Sequence, residues 1–136
     1  MSLIAVPVSY GELIDKITIL EIKSQRIADE GKLANVRNEL ELLAATWGNA
    51  TVSQIDISAE RARLLAVNEV LWDIEDHIRV KERAQEFDAQ FVELARSVYF
   101  QNDERAAIKR EINVKLGSQL VEEKSYQDYR ADKPAS

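Results

Sequence analysis

Glu69, Asp73 and Asp76 stand at i, i+4 and i+7, so a helix puts all three carboxylates on one face. Three hard oxygen donors in one row can hold Mg²⁺ if a second element or a phosphate completes the shell. Asp15 is the nearest candidate for that second element. With Glu12 it forms an E-x-x-D pair, and Asp73 with Asp76 forms a D-x-x-D pair. These four acids, Asp15, Glu69, Asp73 and Asp76, are the candidate metal ligands. Their bland alternative is a solvated or salt-bridged helix face.

The cations support a different chemistry. Lys16 and Lys23 are seven apart, and Arg79, Arg105 and Lys109 come from later stretches. If they converge, they would bind a phosphate or a dicarboxylate. Against that, Glu12 with Lys16 and Glu75 with Arg79 are simple i,i+4 pairs. His77 is the only histidine, and Asp73 four residues before it is a sufficient partner. A di-iron carboxylate site needs Glu-x-x-His on two helices, which a single histidine cannot supply. Trp72 lies beside Asn68 and Glu75 on the polar side of its helix, where an indole needs cover from another helix, a partner subunit, the tail or a ligand.

The elements that would carry these residues are helical. Ser9 with Glu12 makes a capping box, and Val8 with Leu13 a hydrophobic staple. Leu13, Ile17, Leu20 and Ile27 form a core line from about Tyr10 to Ala28, and Ile14, Ile19 and Ile22 widen it, so neighbours are expected on more than one side. Residues 29–32 break the phase, leaving a hairpin or a kinked helix over 9–46. Leu33, Val36, Leu40, Leu43 and Trp47 then step 3, 4, 3, 4, a coiled-coil-like spacing of only two heptads. Residues 47–57 read as a connector with a turn signal at Gly48-Asn49. Leu64, Val67, Leu71, Ile74 and Ile78 line a further helix that ends or bends near Gln85 to Asp88. Helical spacing resumes to Phe100, Asn102-Asp103-Glu104 reads as a new cap, and Ile108, Ile112 and Leu116 run to a C′ glycine at Gly117.

The expected fold is therefore all-α: one domain, an antiparallel bundle of four or five long amphipathic helices, with an extended lead-in over 1–8 and a polar tail over 118–136. The tail is expected to dock. Leu120, Val121, Tyr126 and Tyr129 offer apolar footholds, and Glu122 and Glu123 would pair with Lys16, Arg79 or Arg105. Closed over the polar face, the tail would cover Trp72 as a lid.

Composition narrows the function. A net charge of −6 argues against nucleic acid as a partner. No apolar run reaches the roughly 18 residues of a membrane span. The absence of cysteine excludes disulfides and thiolate metal sites and fits the cytoplasm.

Two families share fragments of this pattern. The paired acids on two helices are similar to the metal cage of all-helical nucleoside triphosphate pyrophosphatases, although the order and types of the acids differ. The stretch ELIDKITILEIKSQRI resembles the first helix of short helical chorismate mutases, without their full set of basic residues. A broader likeness covers most of the chain: VPVSYGELIDKITILEIKSQRI, KLANVRNELELL, NEVLWDIEDHIR and FVELARSVYFQNDERAAIKREINVKLGSQLVEEKSYQDY together resemble a compact, uncharacterised bacterial family of unknown function, loosely associated with surface-polysaccharide gene neighbourhoods. That resemblance implies a stand-alone, all-helical cytoplasmic protein. Motif membership and chemistry add Asn68, Trp72, Lys124 and Tyr126 to Lys16, Lys23, Arg79, Arg105 and Lys109 as candidate ligand-binding residues. The expected function is a binding or assembly module, homodimeric, with a polar site for an anionic small molecule or partner. The alternative is a Mg²⁺-dependent hydrolase of a nucleotide or phosphorylated sugar on the acidic face. A third class is a metal-free isomerase-type site lined by cations. No cofactor other than Mg²⁺ is implied.

Overall fold

The computed structural model describes residues 2–130. Within them the chain forms four α-helices, α1 (Tyr10–Arg26), α2 (Glu30–Asn49), α3 (Ser58–Arg83) and α4 (Ala89–Leu116), and a short 3₁₀ turn at Thr51–Gln54. No strand occurs among the described residues, and no described helix is long and apolar enough to cross a membrane.

The N-terminus of α1 is tied down group by group. The first backbone N–H groups of a helix have no partner inside it. Here Ser9 Oγ accepts from the Glu12 N–H at 3.1 Å, Asn113 Oδ1 accepts from the Gly11 N–H at 2.7 Å, and Ser118 Oγ accepts from the Tyr10 N–H at 3.4 Å. Two of these three acceptors come from the last turns of α4 and from the second residue beyond it. Glu12 does not complete a capping box; its carboxylate accepts from Lys109 instead, because the ammonium on α4 is a stronger partner than a neutral N–H.

Helix α1 packs against each of the other three helices, and α3 packs along α4. Its apolar residues are accordingly buried all round: Leu13, Ile14, Ile17, Leu20 and Ile22. Leu64 and Val67 from α3 and Ile108, Ile112 and Leu116 from α4 complete the core. Leu40, Leu43 and Trp47 of α2 lie half-buried against it.

Helix α1 ends at Arg26, two residues before the expected Ala28, and Ile27 is extended. Asp29 then caps α2, accepting from the Lys32 N–H at 2.9 Å. Gly31 is thus the first turn of a new helix. The larger correction is at Asn102-Asp103-Glu104. These residues lie inside α4, which runs unbroken from Ala89 to Leu116, so the bundle has four helices rather than five. Cap-type residues announce a helix start only where the backbone is free to leave the helix. The true cap is Asp88, which accepts from the Phe91 N–H at 3.0 Å, while Lys81 clamps the turn by bonding Glu86 and Asp88. Gly117 closes α4 in the left-handed conformation, with φ 66°.

At Gly11, α1 lies close against the backbone of α4. A Cβ at this position would stand 2.5 Å from the Lys109 carbonyl oxygen and 3.0 Å from Asn113 Oδ1. A backbone carbonyl inside a helix cannot step aside as a side chain can. Gly11→Ala is therefore expected to lose about 1–3 kcal/mol of stability from overpacking, despite alanine's better helix propensity. Urea denaturation of the two proteins measures it; equal midpoints would show that the helices separate freely here.

Candidate functional site

A carboxylate at the centre of the bundle organises the polar residues. Asp15 lies on α1 between Ile14 and Ile17 and is only 1% exposed. An ionised carboxylate there needs partners. Arg105 of α4 supplies its Nε to Oδ1 at 2.9 Å and its Nη2 to Oδ2, a two-pronged pair. Asn68 of α3 donates to the same Oδ1 at 2.9 Å and to Thr18 Oγ1 at 3.0 Å. Thr18 in turn donates to the Asp15 backbone carbonyl at 2.8 Å. Three helices thus meet at one charge. The hydrogen bond to Asp15 holds the Arg105 guanidinium above its ordinary pKa, against the opposing effect of burial.

With Nε and Nη2 committed, Nη1 of Arg105 makes no protein hydrogen bond among the described residues. Arg105 borders two adjoining hollows. The larger is an open groove of about 480 Å³ between α1, α3 and α4. Asn68, Trp72, Glu75 and Arg79 line it along one face of α3, a run of roughly 16 Å at the helical rise. Ile19 and Ile22 of α1 and Asn102 of α4 line the same groove. The Arg26 guanidinium lies 5.9 Å from the Trp72 ring centroid. The second hollow, about 240 Å³, shares Asn102 and Arg105 and adds Glu12, Lys109, Glu122 and Lys124.

Lys109 is nearly buried, its side chain 10% exposed. Its ammonium donates to Glu12 at 2.6 Å and to Glu122 of the tail at 2.9 Å. Burial pulls its pKa down, and the hydrogen bonds to Glu12 and Glu122 outweigh that pull, so the net shift is upward. The hydrogen bond from Lys109 holds the Glu122 carboxyl below its ordinary value, helped by the charges of Lys109, Lys124 and Arg105.

The candidate residues divide accordingly. Asn68, Trp72, Arg79 and Arg105 are brought together in the groove. Lys109 and Lys124 join Arg105 in the second hollow. Lys16 lies 4.0 Å from Glu12, with its side chain 54% exposed, and lines neither hollow; nor does Lys23. Tyr126 is exposed beneath Lys124, in a separate hollow with Tyr99 and Tyr129. Of the acids, Asp15 is engaged by Arg105 and Asn68, and Asp73 is paired to Arg26. Asp76 lines the groove, and Glu69 lies half-buried outside it. No three acid or histidine side chains are grouped to hold a metal ion among the described residues.

Glu12 and Glu122 complete the site and stand outside the candidate ligand-binding and metal residues; Asn102, which lies in a segment that carries the family resemblance, lines both hollows. No local signal singles out Glu12 or Glu122; what Asp15 signals is Arg105. A lone acid among isoleucines is buried, and a buried acid demands a cation from another element.

The tail docks, though not on the expected partners. Glu122 pairs with Lys109 and Glu123 with Arg110, because both cations lie on the helix the tail has just left. Tyr129 stacks on Tyr99 and Phe100, at 4.7 and 4.9 Å between centroids, and a hydrogen bond to Asp103 raises its pKa. Among the described residues no tail residue lines the Trp72 groove, so residues 118–130 do not cover that indole.

A family model described as "Family of unknown function (DUF6165)" matches residues 4–135. The chain belongs to this family. The match takes in all four helices, both hollows and the docked part of the tail, so the arrangement around Asp15 lies wholly within the family's span. No curated protein and no solved structure matches the chain.

Two expected outcomes follow from this geometry. Arg105→Ala leaves Asp15 charged and buried with only an amide partner, which is expected to cost about 3 kcal/mol. Asp15→Asn in that background removes the stranded charge and recovers part of the loss; strictly additive losses in urea titrations would show that the two residues are not coupled. The second outcome concerns pH. Glu122 has a lowered pKa when docked, so its contribution is fully present above the ordinary glutamate value of 4.5 and is lost as pH falls through the docked value. The tail is expected to loosen as pH falls below that ordinary value and through the docked one. Heteronuclear NMR relaxation of residues 121–130 checks it; a tail that stiffens on acidification would contradict the pairing.

Proposed function

We propose that the protein is a non-catalytic binding module that holds a small anionic molecule against Arg105, in the groove beside Trp72. The observation that carries this is the guanidinium itself. Two of its nitrogens are pinned by a buried carboxylate, the third has no protein hydrogen bond among the described residues, and the residue borders both hollows. A planar fork already held in one orientation loses little freedom on binding, so its hydrogen bonds to an anion are realised almost in full. Trp72 and the isoleucines of α1 supply an apolar wall, and Asn68 and Asn102 supply amides. Arg79 stands at the far end, already answered by Glu75 at 3.2 Å. An elongated ligand with its anionic group at Arg105 fits this layout.

The hydrolase alternative gains no support from the acids, since Asp15 and Asp73 already have cationic partners. The same proposal includes a homodimer. Its support is the apolar surface left outside the bundle: Leu3, Ile4 and Val6 in the extended lead-in, and Val80, Phe87 and Val92 near the α3–α4 turn are all more than half exposed. It also includes an antiparallel course for the helices, supported by the short connections at 27–29 and 84–88. The bacterial, cytoplasmic setting implied by the resemblance belongs to the proposal as well.

The test is a titration with nucleotides, nucleotide sugars and dicarboxylates, followed by tryptophan fluorescence in a Trp47→Phe background so that Trp72 reports alone. At least one class is expected to shift the signal. Arg105→Lys, which keeps the charge but not the fork, is expected to weaken that ligand about tenfold, the worth of one charged hydrogen bond. A panel that leaves Trp72 unchanged, or a ligand indifferent to Arg105→Lys, sinks the proposal. Phosphate release in Mg²⁺ that disappears in Asp76→Ala would favour the hydrolase. Sedimentation as a monomer at tens of micromolar would remove the dimer.

A further inference from the structure

The second hollow holds an anion already, and that anion belongs to the chain. Four charges line the space without the tail acid, and a fifth, Asp15, lies buried behind Arg105. Arg105, Lys109 and Lys124 are cations; Glu12 and the buried Asp15 are carboxylates bonded to two of them. Three cations against two carboxylates leave one uncompensated positive charge. Lys124 is the cation left over: it makes no ion pair among the described residues and only overlies the Tyr126 ring at 5.9 Å. The carboxylate that restores neutrality is Glu122, 2.9 Å from the Lys109 ammonium.

Glu122 is placed differently from the acids of the bundle. Asp15 is enclosed by three helices, and Glu12 lies on α1. Glu122 sits on an extended stretch after Gly117, its side chain 51% exposed, in a segment exposed throughout residues 119–130. Ordering such a segment opposes docking by about 1–2 kcal/mol per residue in backbone entropy. Its anchors are the surface pairs of Glu122 and Glu123 and the Tyr129 stack. A nearly buried ammonium is thus capped by a carboxylate on an exposed segment held by a few surface contacts.

We propose that this hollow is the anion subsite of the ligand, and that Glu122 is a tethered place-holder which a carboxylate or phosphate group displaces. This rests on the proposed binding function and specifies it. The ligand's anionic group enters between Arg105, Lys109 and Lys124, its body follows past Asn102 into the Trp72 groove, and the tail is released as it binds. The net charge of the emptied hollow matches a singly charged group, so a monoanion suffices to replace Glu122.

The probes are inorganic phosphate and malonate, titrated at constant ionic strength against chloride, with the full chain and its Glu122→Gln variant. Amide chemical shifts of residues 102–112 report occupancy of the hollow, and trypsin cleavage after Lys124 reports tail release. In the wild type, either anion is expected to speed that cleavage beyond the chloride control. Glu122→Gln removes the competing charge, and it is expected to bind the same anion about three- to tenfold more tightly, the scale of a partly buried ion pair. It should also cleave fast without any anion. A response to phosphate alone, or to malonate alone, supports the subsite and names its chemistry. If the panel shifts Trp72 but Glu122→Gln changes neither affinity nor cleavage, the place-holder is overturned while the binding module stands. If Glu122→Gln tightens phosphate or malonate and no panel compound reaches Trp72, the module fails while the subsite stands. Anions that shift nothing in either protein overturn the subsite.

Discussion

The structure depends on the burial of one negative charge. Asp15 sits in the core face of the helix that touches all the others, at a depth where an unpaired carboxylate would be costly. Replacing such a pair by apolar side chains often leaves a protein as stable or more so, whereas removing one partner is destabilising. The Asp15–Arg105 pair is therefore poor value as a stabiliser and effective as a constraint. Only one registry of α3 and α4 against α1 brings Asn68 and Arg105 to the same carboxylate. The packing at Gly11 acts on the same registry, because that glycine and Asp15 are one helical turn apart and both meet α4.

That constraint also fixes Arg105, on which the proposed binding function rests. A guanidinium on a free surface helix would sample many orientations. Clamped by Asp15, it has a fixed remaining edge, and the helices that clamp it are those that wall the groove. Core and site thus share one polar network. Lys109 extends it by one helical turn, with Glu12 on one side and the tail on the other.

The tail shows how charge position decides partners. Its acids could in principle reach Lys16, Arg79 or Arg105. Arg105 is already occupied, Arg79 has Glu75, and Lys16 lies beside Glu12. Lys109 and Arg110, thirteen residues before the acids they hold, are reached simply because the chain turns back at Gly117. Proximity in the turn, rather than strength of the cation, made the choice.

The helical character of the chain was legible in its residues. The Ser9 cap, the apolar steps of α1, α3 and α4 and the Gly117 stop are local signals, and the backbone obeys them because helix formation is itself local. Isoleucines on several sides of α1 foretold a helix with several neighbours. The chemistry of Trp72, Arg79 and Arg105 marked them as site residues, and they share a groove. Local signals failed where tertiary context outweighs them. Asn102-Asp103-Glu104 looks like a cap, but packing on α1 and α3 carries α4 straight through it. Glu12 looks like half of a capping box, but an ammonium from α4 takes it. Asp15 was visible as an acid, and only the fold decides that Arg105 and Asn68 are its partners. Which charges meet depends on how the helices pack, and that packing joins residues as far apart in the chain as Asp15 and Arg105, ninety positions.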